Sequence, residues 1–156
     1  MKNLAFFIII FFSFSGIYAQ ETADVIKKGF IIIHASKDYN LAKRVAEEAS
    51  KHLKYEINYR DLEYNKFLGL SLPKSVCDSN GFEYPAYIQR GRGNNGNFIS
   101  VEYTNAYNNF TLGYYIVVVA SYEKGNSKLK ETLKFVKKHY ESAYIKYTDI
   151  YMGCIH

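Results

Sequence analysis

The stretch that decides the fold is Tyr115-Ile116-Val117-Val118-Val119-Ala120-Ser121, because it matches an earlier run, Phe30-Ile31-Ile32-Ile33-His34-Ala35-Ser36, at a constant offset of 85 residues. Each is a continuous β-branched run closed by Ala-Ser, the pattern of a strand buried on both faces. A helical pattern follows each strand. After the first, Ser36 or Asp38 is placed to cap a helix in which Leu41, Ala42, Val45, Ala46, Ala49 and Leu53 share one face, while Lys43, Arg44, Glu47, Glu48 and Lys51 fill the other. After the second, a helix starts near Asn126 or Ser127, with Leu129, Leu133, Val136 and Tyr140 on one side and lysines largely on the other. Tyr55 to Asp61 alternates as a closing strand, and Ile57-Asn58-Tyr59-Arg60-Asp61 reappears as Ile145-Lys146-Tyr147-Thr148-Asp149 in the form Ile-x-Tyr-x-Asp, 88 residues on. The halves therefore read as a duplicated strand-helix-strand unit.

Between them, Leu62 to Gly81 reads as a loop or excursion rich in turn residues, and Tyr84 to Arg90 with Asn97 to Tyr103 reads as a hairpin turned at Gly91-Arg92-Gly93-Asn94-Asn95-Gly96. The order β-α-β, β-β, β-α-β predicts an α+β domain: ferredoxin/RNP-like duplicated βαβ units forming one antiparallel sheet backed by two helices, with an inserted hairpin. The half-repeats cover about 29–61 and 113–151 and the middle insertion 62–112, all within a single domain, 20–156. A chain of 156 residues with 48% hydrophobic and 22% charged residues suits one such domain and excludes disorder or collagen-like repetition.

Met1-Lys2-Asn3, the apolar run Leu4 to Phe14 and the small-residue site Ile17-Tyr18-Ala19 read as a signal peptide, residues 1–19, cleaved after Ala19. An uncleaved anchor is the other reading, disfavoured by the polar Gln20-Glu21-Thr22 that follows. No cysteine stands near the site for lipid attachment. The expectation is a periplasmic or secreted protein without a stable membrane span. Without Lys2 the chain keeps 19 basic against 15 acidic residues, a modest positive charge that favours anionic envelope polymers, and export argues against nucleic acid. Cys77 and Cys154, the only two cysteines, are expected to form a disulfide in such a compartment, contributing roughly 3 to 5 kcal/mol by the chain-entropy argument. Two independent thiols are the other reading.

The opening Tyr114-Tyr115-Ile116-Val117-Val118-Val119-Ala120-Ser121-Tyr122, with its helix and closing strand, resembles the SPOR family of extracytoplasmic modules that bind septal peptidoglycan. Phe30 to Ser36 is a fainter copy. The resemblance covers the two half-repeats and implies a βαββαβ fold and glycan binding without catalysis. Two departures stand out: apolar residues replace the family's Gln in the opening strand, and the hairpin is additional.

No motif names a reaction. His34, His52, His139 and His156 lack metal-ligand spacing, with His156 beside Cys154 a lone possible ligand. Ser71 in Gly69-Leu70-Ser71-Leu72 lacks the second Gly of a nucleophile elbow. Arg90 to Gly96 lacks Gly-Lys-Ser/Thr and precedes a strand, so it reads as a turn, not a phosphate cradle. The expectation is a protein that uses no metal and no cofactor. Binding chemistry is better represented: Tyr rings stack on sugar faces and amides bond hydroxyls, and Tyr84, Tyr87, Tyr103, Tyr107, Tyr114, Tyr115 and Tyr122 cluster with Gln89, Asn105, Asn108 and Asn109. The same composition suits a protein interface or half-buried sheet aromatics. Tyr87, Gln89, Arg90, Arg92, Glu102, Tyr103 and Tyr107 are the expected binding residues, with Glu102 the internal partner if Arg90 and Arg92 are not free. The partner is peptidoglycan or another envelope glycan; a secreted inhibitor or immunity-type protein with a protein partner is the alternative.

Overall fold

The two apolar runs lie side by side at the centre of one sheet, which is why both lack alternation. The computed structural model describes residues 24–93 and 95–153, so the expected signal peptide and Cys154 lie outside the described residues. β1 (Val25–Ser36) is followed by α1 (Tyr39–Leu53), the short pair β2 (Glu63–Asn65) and β3 (Gly69–Ser71), then α2 (Lys74–Asn80), β4 (Gly96–Tyr103), β5 (Tyr115–Glu123), α3 (Ser127–Val136) and β6 (Tyr144–Tyr151). The main sheet has the order β4-β5-β1-β6, with every neighbouring pair antiparallel. Among the described residues the fold is α+β, with a four-stranded antiparallel sheet and three α-helices.

Side chains alternate across this sheet and sort into two cores. Ile31, Ile33, Val101, Tyr115, Val117 and Val119 face α1 and α3, while Phe30, Ile32, Ile116, Val118 and Ile150 form a smaller cluster on the opposite face. α1 begins where the Asp38 carboxylate accepts the Asn40 and Leu41 amides at 2.8 and 3.3 Å, satisfying two otherwise orphaned donors. Its buried stripe is Ala42, Ala46, Ala49 and Leu53, small enough to let the helix sit close to the sheet. α3 is capped by Asn126, and it approaches β1 where a glycine leaves room: a Cβ on Gly29 would stand 2.5 Å from Leu129 Cδ2.

Three expectations need correction. Tyr55 to Asp61 is not a strand: its backbone pairs with the sheet at a single isolated parallel bridge, Ile57 to Ile99. The Asn58 side chain accepts the Arg60 amide at 2.7 Å, and Arg60 and Asp61 both adopt left-handed backbone, at φ 57° and 55°. An Asx turn has overridden the alternation, so the Ile-x-Tyr-x-Asp match pairs a turn with strand β6. The hairpin is also absent: Tyr84 to Arg90 forms no strand, and β4 pairs with β5 instead. The first strand-helix-strand unit therefore closes on β4, within the supposed 62–112 insertion, and the extra segment lies between α1 and β4. Finally, Lys74–Asn80 is a helix rather than a loop.

Cys77 lies in that helix as a fully buried free thiol, its Sγ 3.9 Å from the Leu72 carbonyl. The disulfide with Cys154 was expected from cysteine number and compartment, neither of which specifies depth. Cys77→Ser should lower unfolding stability by about 1–3 kcal/mol through burial of a more polar group, equally with and without reductant in urea titrations. A loss confined to oxidising conditions would instead restore the disulfide.

Candidate functional site

The face of the sheet opposite the helices would be open in a bare four-stranded layer, and here the chain covers much of it. At its centre Glu102 of β4 is fully buried and accepts five hydrogen bonds. Arg60 Nε at 3.0 Å and Ser100 Oγ at 2.5 Å reach Oε1; Arg60 Nη2, Tyr87 Oη and Tyr107 Oη, each at 2.5 Å, reach Oε2. Arg60 also donates to the Ile88 carbonyl and to Tyr87, so the left-handed turn at residues 60 and 61 aims its guanidinium beneath the sheet face. Burial alone would lower the Arg60 pKa, but Glu102 and the two phenols outweigh it and the value is raised.

Arg90 joins the same network through Ser100. Its side chain donates to Ser100 Oγ at 2.7 Å, Ser121 Oγ at 3.1 Å, and the carbonyls of Val118 and Phe98 at 2.9 and 2.8 Å. The guanidinium lies 3.7 Å from the Phe98 ring centroid. Burial pulls its pKa down to about 10, partly offset by Glu102, so it is charged at neutral pH. Tyr107 accepts the Arg90 amide at 2.8 Å and packs edge-on against Phe30 at 5.3 Å, pinning the β4–β5 connection to the sheet. Burial first, then Glu102, raises the phenol pKa values of Tyr87 and Tyr107, which keeps both as donors.

The expected binding residues are therefore divided. Arg90, Glu102 and Tyr107 are buried and brace the fold. The partner assignment is corrected too: Glu102 pairs with Arg60, whereas Arg92 donates to the carbonyls of Tyr151 at 2.8 Å and Gly153. Gln89 bridges the Ala106 carbonyl at 2.5 Å and the Tyr151 amide at 3.3 Å. Tyr87 keeps part of its ring at the surface with its hydroxyl in the network. Tyr103 lies on the opposite, helical side, stacked on Tyr115 at 5.0 Å. Sequence reading missed Arg60, whose partner is 42 residues away.

Beside this cover lies an open cleft of about 210 Å³. Its rim is aromatic: Phe110 and Tyr114 from the β4–β5 connection and Tyr144 from β6. Thr104 and Thr111 add hydroxyls, and Lys146 adds a cation. Two ammonium groups flank the rings, with Lys146 Nζ 5.6 Å from the Phe110 centroid and Lys37 Nζ 5.5 Å from that of Tyr114. Tyr144 is 45% exposed. Of this set only Tyr114 stood out in the sequence. The antiparallel register places Lys146 opposite Phe30 and Tyr144 opposite Ile32, so both β6 side chains share this face.

No protein-family model, curated protein or solved structure matches the chain. The likeness to SPOR modules rests on the residues quoted for it. Among the described residues, no helix is long and apolar enough to cross a membrane.

Proposed function

We propose that this chain is a non-catalytic, extracytoplasmic binding module that holds an envelope glycan, peptidoglycan first among them, in the cleft of Phe110, Tyr114, Tyr144 and Lys146. The observation that carries the reading is the pairing of exposed aromatic rings with lysines and threonine hydroxyls. Rings pack on the apolar faces of sugars, hydroxyls bond their rims, and an ammonium pairs with a sugar acid or peptide carboxylate. The β1-α1-β4 and β5-α3-β6 halves support the reading as a ferredoxin/RNP-like duplication, each half enclosing a strand of the other. The signal-like N-terminus supports export. Binding without catalysis is supported by the Glu102 carboxylate, whose donors are all internal.

Residues 20–156 should co-sediment with peptidoglycan sacculi, and more strongly after amidase has stripped the peptides. Tyr144→Ala should weaken binding about threefold to tenfold at both low and high salt, matching a ring contact of about 0.5–1.5 kcal/mol. Lys146→Ala should weaken it mainly at low salt. Unaltered retention by both variants, or none by the parent, would remove glycan from this cleft.

One observation favours a protein-binding module instead. The tip between β2 and β3 exposes Phe67 at 91% and Leu68 at 39%, an apolar knob of the kind that anchors interfaces. In that case a single partner should co-purify at fixed ratio and be released by Phe67→Ser, while Tyr144→Ala has no effect.

A further inference from the structure

The two edges of the main sheet are treated differently by the chain. At the β4 edge, residues 56–58 cover the strand: the Asn58 amide donates to the Ile99 carbonyl and the Ile99 amide to the Glu56 carbonyl, both at 2.8 Å. At the β6 edge no comparable cover exists among the described residues. The Met152 amide turns inward to the Asp24 carbonyl at 2.5 Å, whereas the Tyr151 amide turns outward to Gln89 and the Tyr151 carbonyl outward to Arg92. Antiparallel strands alternate inward and outward backbone groups, so Ile145, Tyr147 and Asp149 also direct their N–H and C=O groups off the edge. Gln89 and Arg92 close the ladder at Tyr151 and leave those residues unpaired.

We propose that the β6 edge pairs with the β6 edge of a second copy of this chain, antiparallel across a two-fold axis at Tyr147. The unpaired set is symmetric about Tyr147, so a perpendicular two-fold axis places Tyr147 opposite the partner's Tyr147 and Ile145 opposite the partner's Asp149. Each opposed pair exchanges two main-chain hydrogen bonds. Lys146 falls opposite the partner's Thr148, and no like charges oppose one another in this register, as a stable pairing requires. Lys146 and Asp149 are the only charges on β6, its eight residues contain no Pro or Gly, and its pairing with β1 is unbroken, whereas both other pairings carry register shifts. Tyr147 is 39% exposed. Such a two-fold is isologous and closed, giving a dimer and not a fibre.

The dimer does not depend on what the cleft binds. The axis preserves the faces of the sheet, so both copies present Tyr144 and Lys146 on the same side, arranged for two-point attachment to a polymer.

The test is sedimentation velocity on residues 20–156, which contain the whole described fold. Twice the chain mass is expected, falling toward one as concentration decreases. Tyr147→Lys puts two ammonium groups at the axis while keeping an aliphatic stem over Gly29, and should weaken association about tenfold or more. Tyr147→Pro removes only an outward N–H, which an edge strand tolerates, and should give a folded monomer by circular dichroism. Tyr147→Cys in a Cys154→Ser background should oxidise to a covalent dimer, because opposed hydrogen-bonded residues stand about 5.5 Å apart between Cα atoms, within disulfide reach. A parent that is monomeric throughout, or a dimer indifferent to Tyr147→Lys, would overturn the proposal.

Discussion

Arg60→Ala should lower the free energy of unfolding by about 3–5 kcal/mol, the range for removing one partner of a buried ion pair. The carboxylate left behind is 0% exposed and would lose both guanidinium bonds, at 3.0 and 2.5 Å. Tyr87, Tyr107 and Ser100 would still donate, but three neutral hydroxyls do not replace a cation beside a buried carboxylate. Urea titration followed by far-ultraviolet circular dichroism measures the change, with a thermal midpoint lower by on the order of 10 °C. Glu102→Gln should be damaging for the converse reason, leaving Arg60 without a countercharge. The double variant Arg60→Met, Glu102→Gln should be less damaged than the two single losses combined, because the charges disappear together. A loss under about 1 kcal/mol for Arg60→Ala, the level of an exposed pair, would mean that Glu102 is wet and the face open.

The second large effect is alkaline. Burial and the Glu102 charge raise the phenols of Tyr87 and Tyr107 above their ordinary value of 10.0, and burial pushes Tyr59 and Tyr115 up to about 12. A phenol whose pKa is higher folded than unfolded stabilises the fold fully below pH 10, and the contribution is lost as pH rises from 10 toward the folded value. Above pH 10 the unfolded chain holds fewer protons, so stability falls by about 2.7 kcal/mol per pH unit from Tyr87 and Tyr107 together. Arg90, lowered to about 10, acts in the opposite direction over the same range, as one group against several phenols. Urea midpoints at successive pH values should be flat near neutrality and drop steeply beyond pH 10. Tyr107→Phe should flatten that drop while lowering stability at neutral pH, since Phe cannot bond Glu102 or the Arg90 amide. An unchanged midpoint up to pH 11 would contradict the buried phenols.

Legibility in the sequence followed range. β1 and β5 announced themselves because both of their faces are covered, so apolar residues run on through Phe30–Ile33 and Tyr115–Ala120 without alternation. α1 and α3 did so because Asp38 and Asn126 sit immediately before apolar stripes of helical period. Residues 55–61 misled because their alternation is genuine, yet the Asn58 side chain captures the next turn's amide and reverses the backbone. Residues 84–90 misled for a related reason: their alternating Tyr87 and Ile88 supply a hydroxyl and a carbonyl to Arg60 and pair with no strand. The network was not legible because its two arginines join it across 42 and 10 residues, Arg60 at Glu102 and Arg90 at Ser100, which no local pattern encodes. The cleft was half legible. Tyr114 heads an aromatic strand, but Tyr144 and Lys146 reach it only through the order β5-β1-β6, which follows from tertiary pairing.

The most direct measurement is amide chemical-shift mapping of residues 20–156 titrated with soluble, peptide-free glycan strands. Saturable shifts are expected at Thr104, Thr111, Tyr114, Tyr144 and Lys146, with Arg60, Arg90 and Glu102 little changed because the network beneath is already satisfied. Shifts confined to the Phe67 tip, or none at glycan concentrations that saturate the sacculi assay, would contradict glycan binding in the cleft.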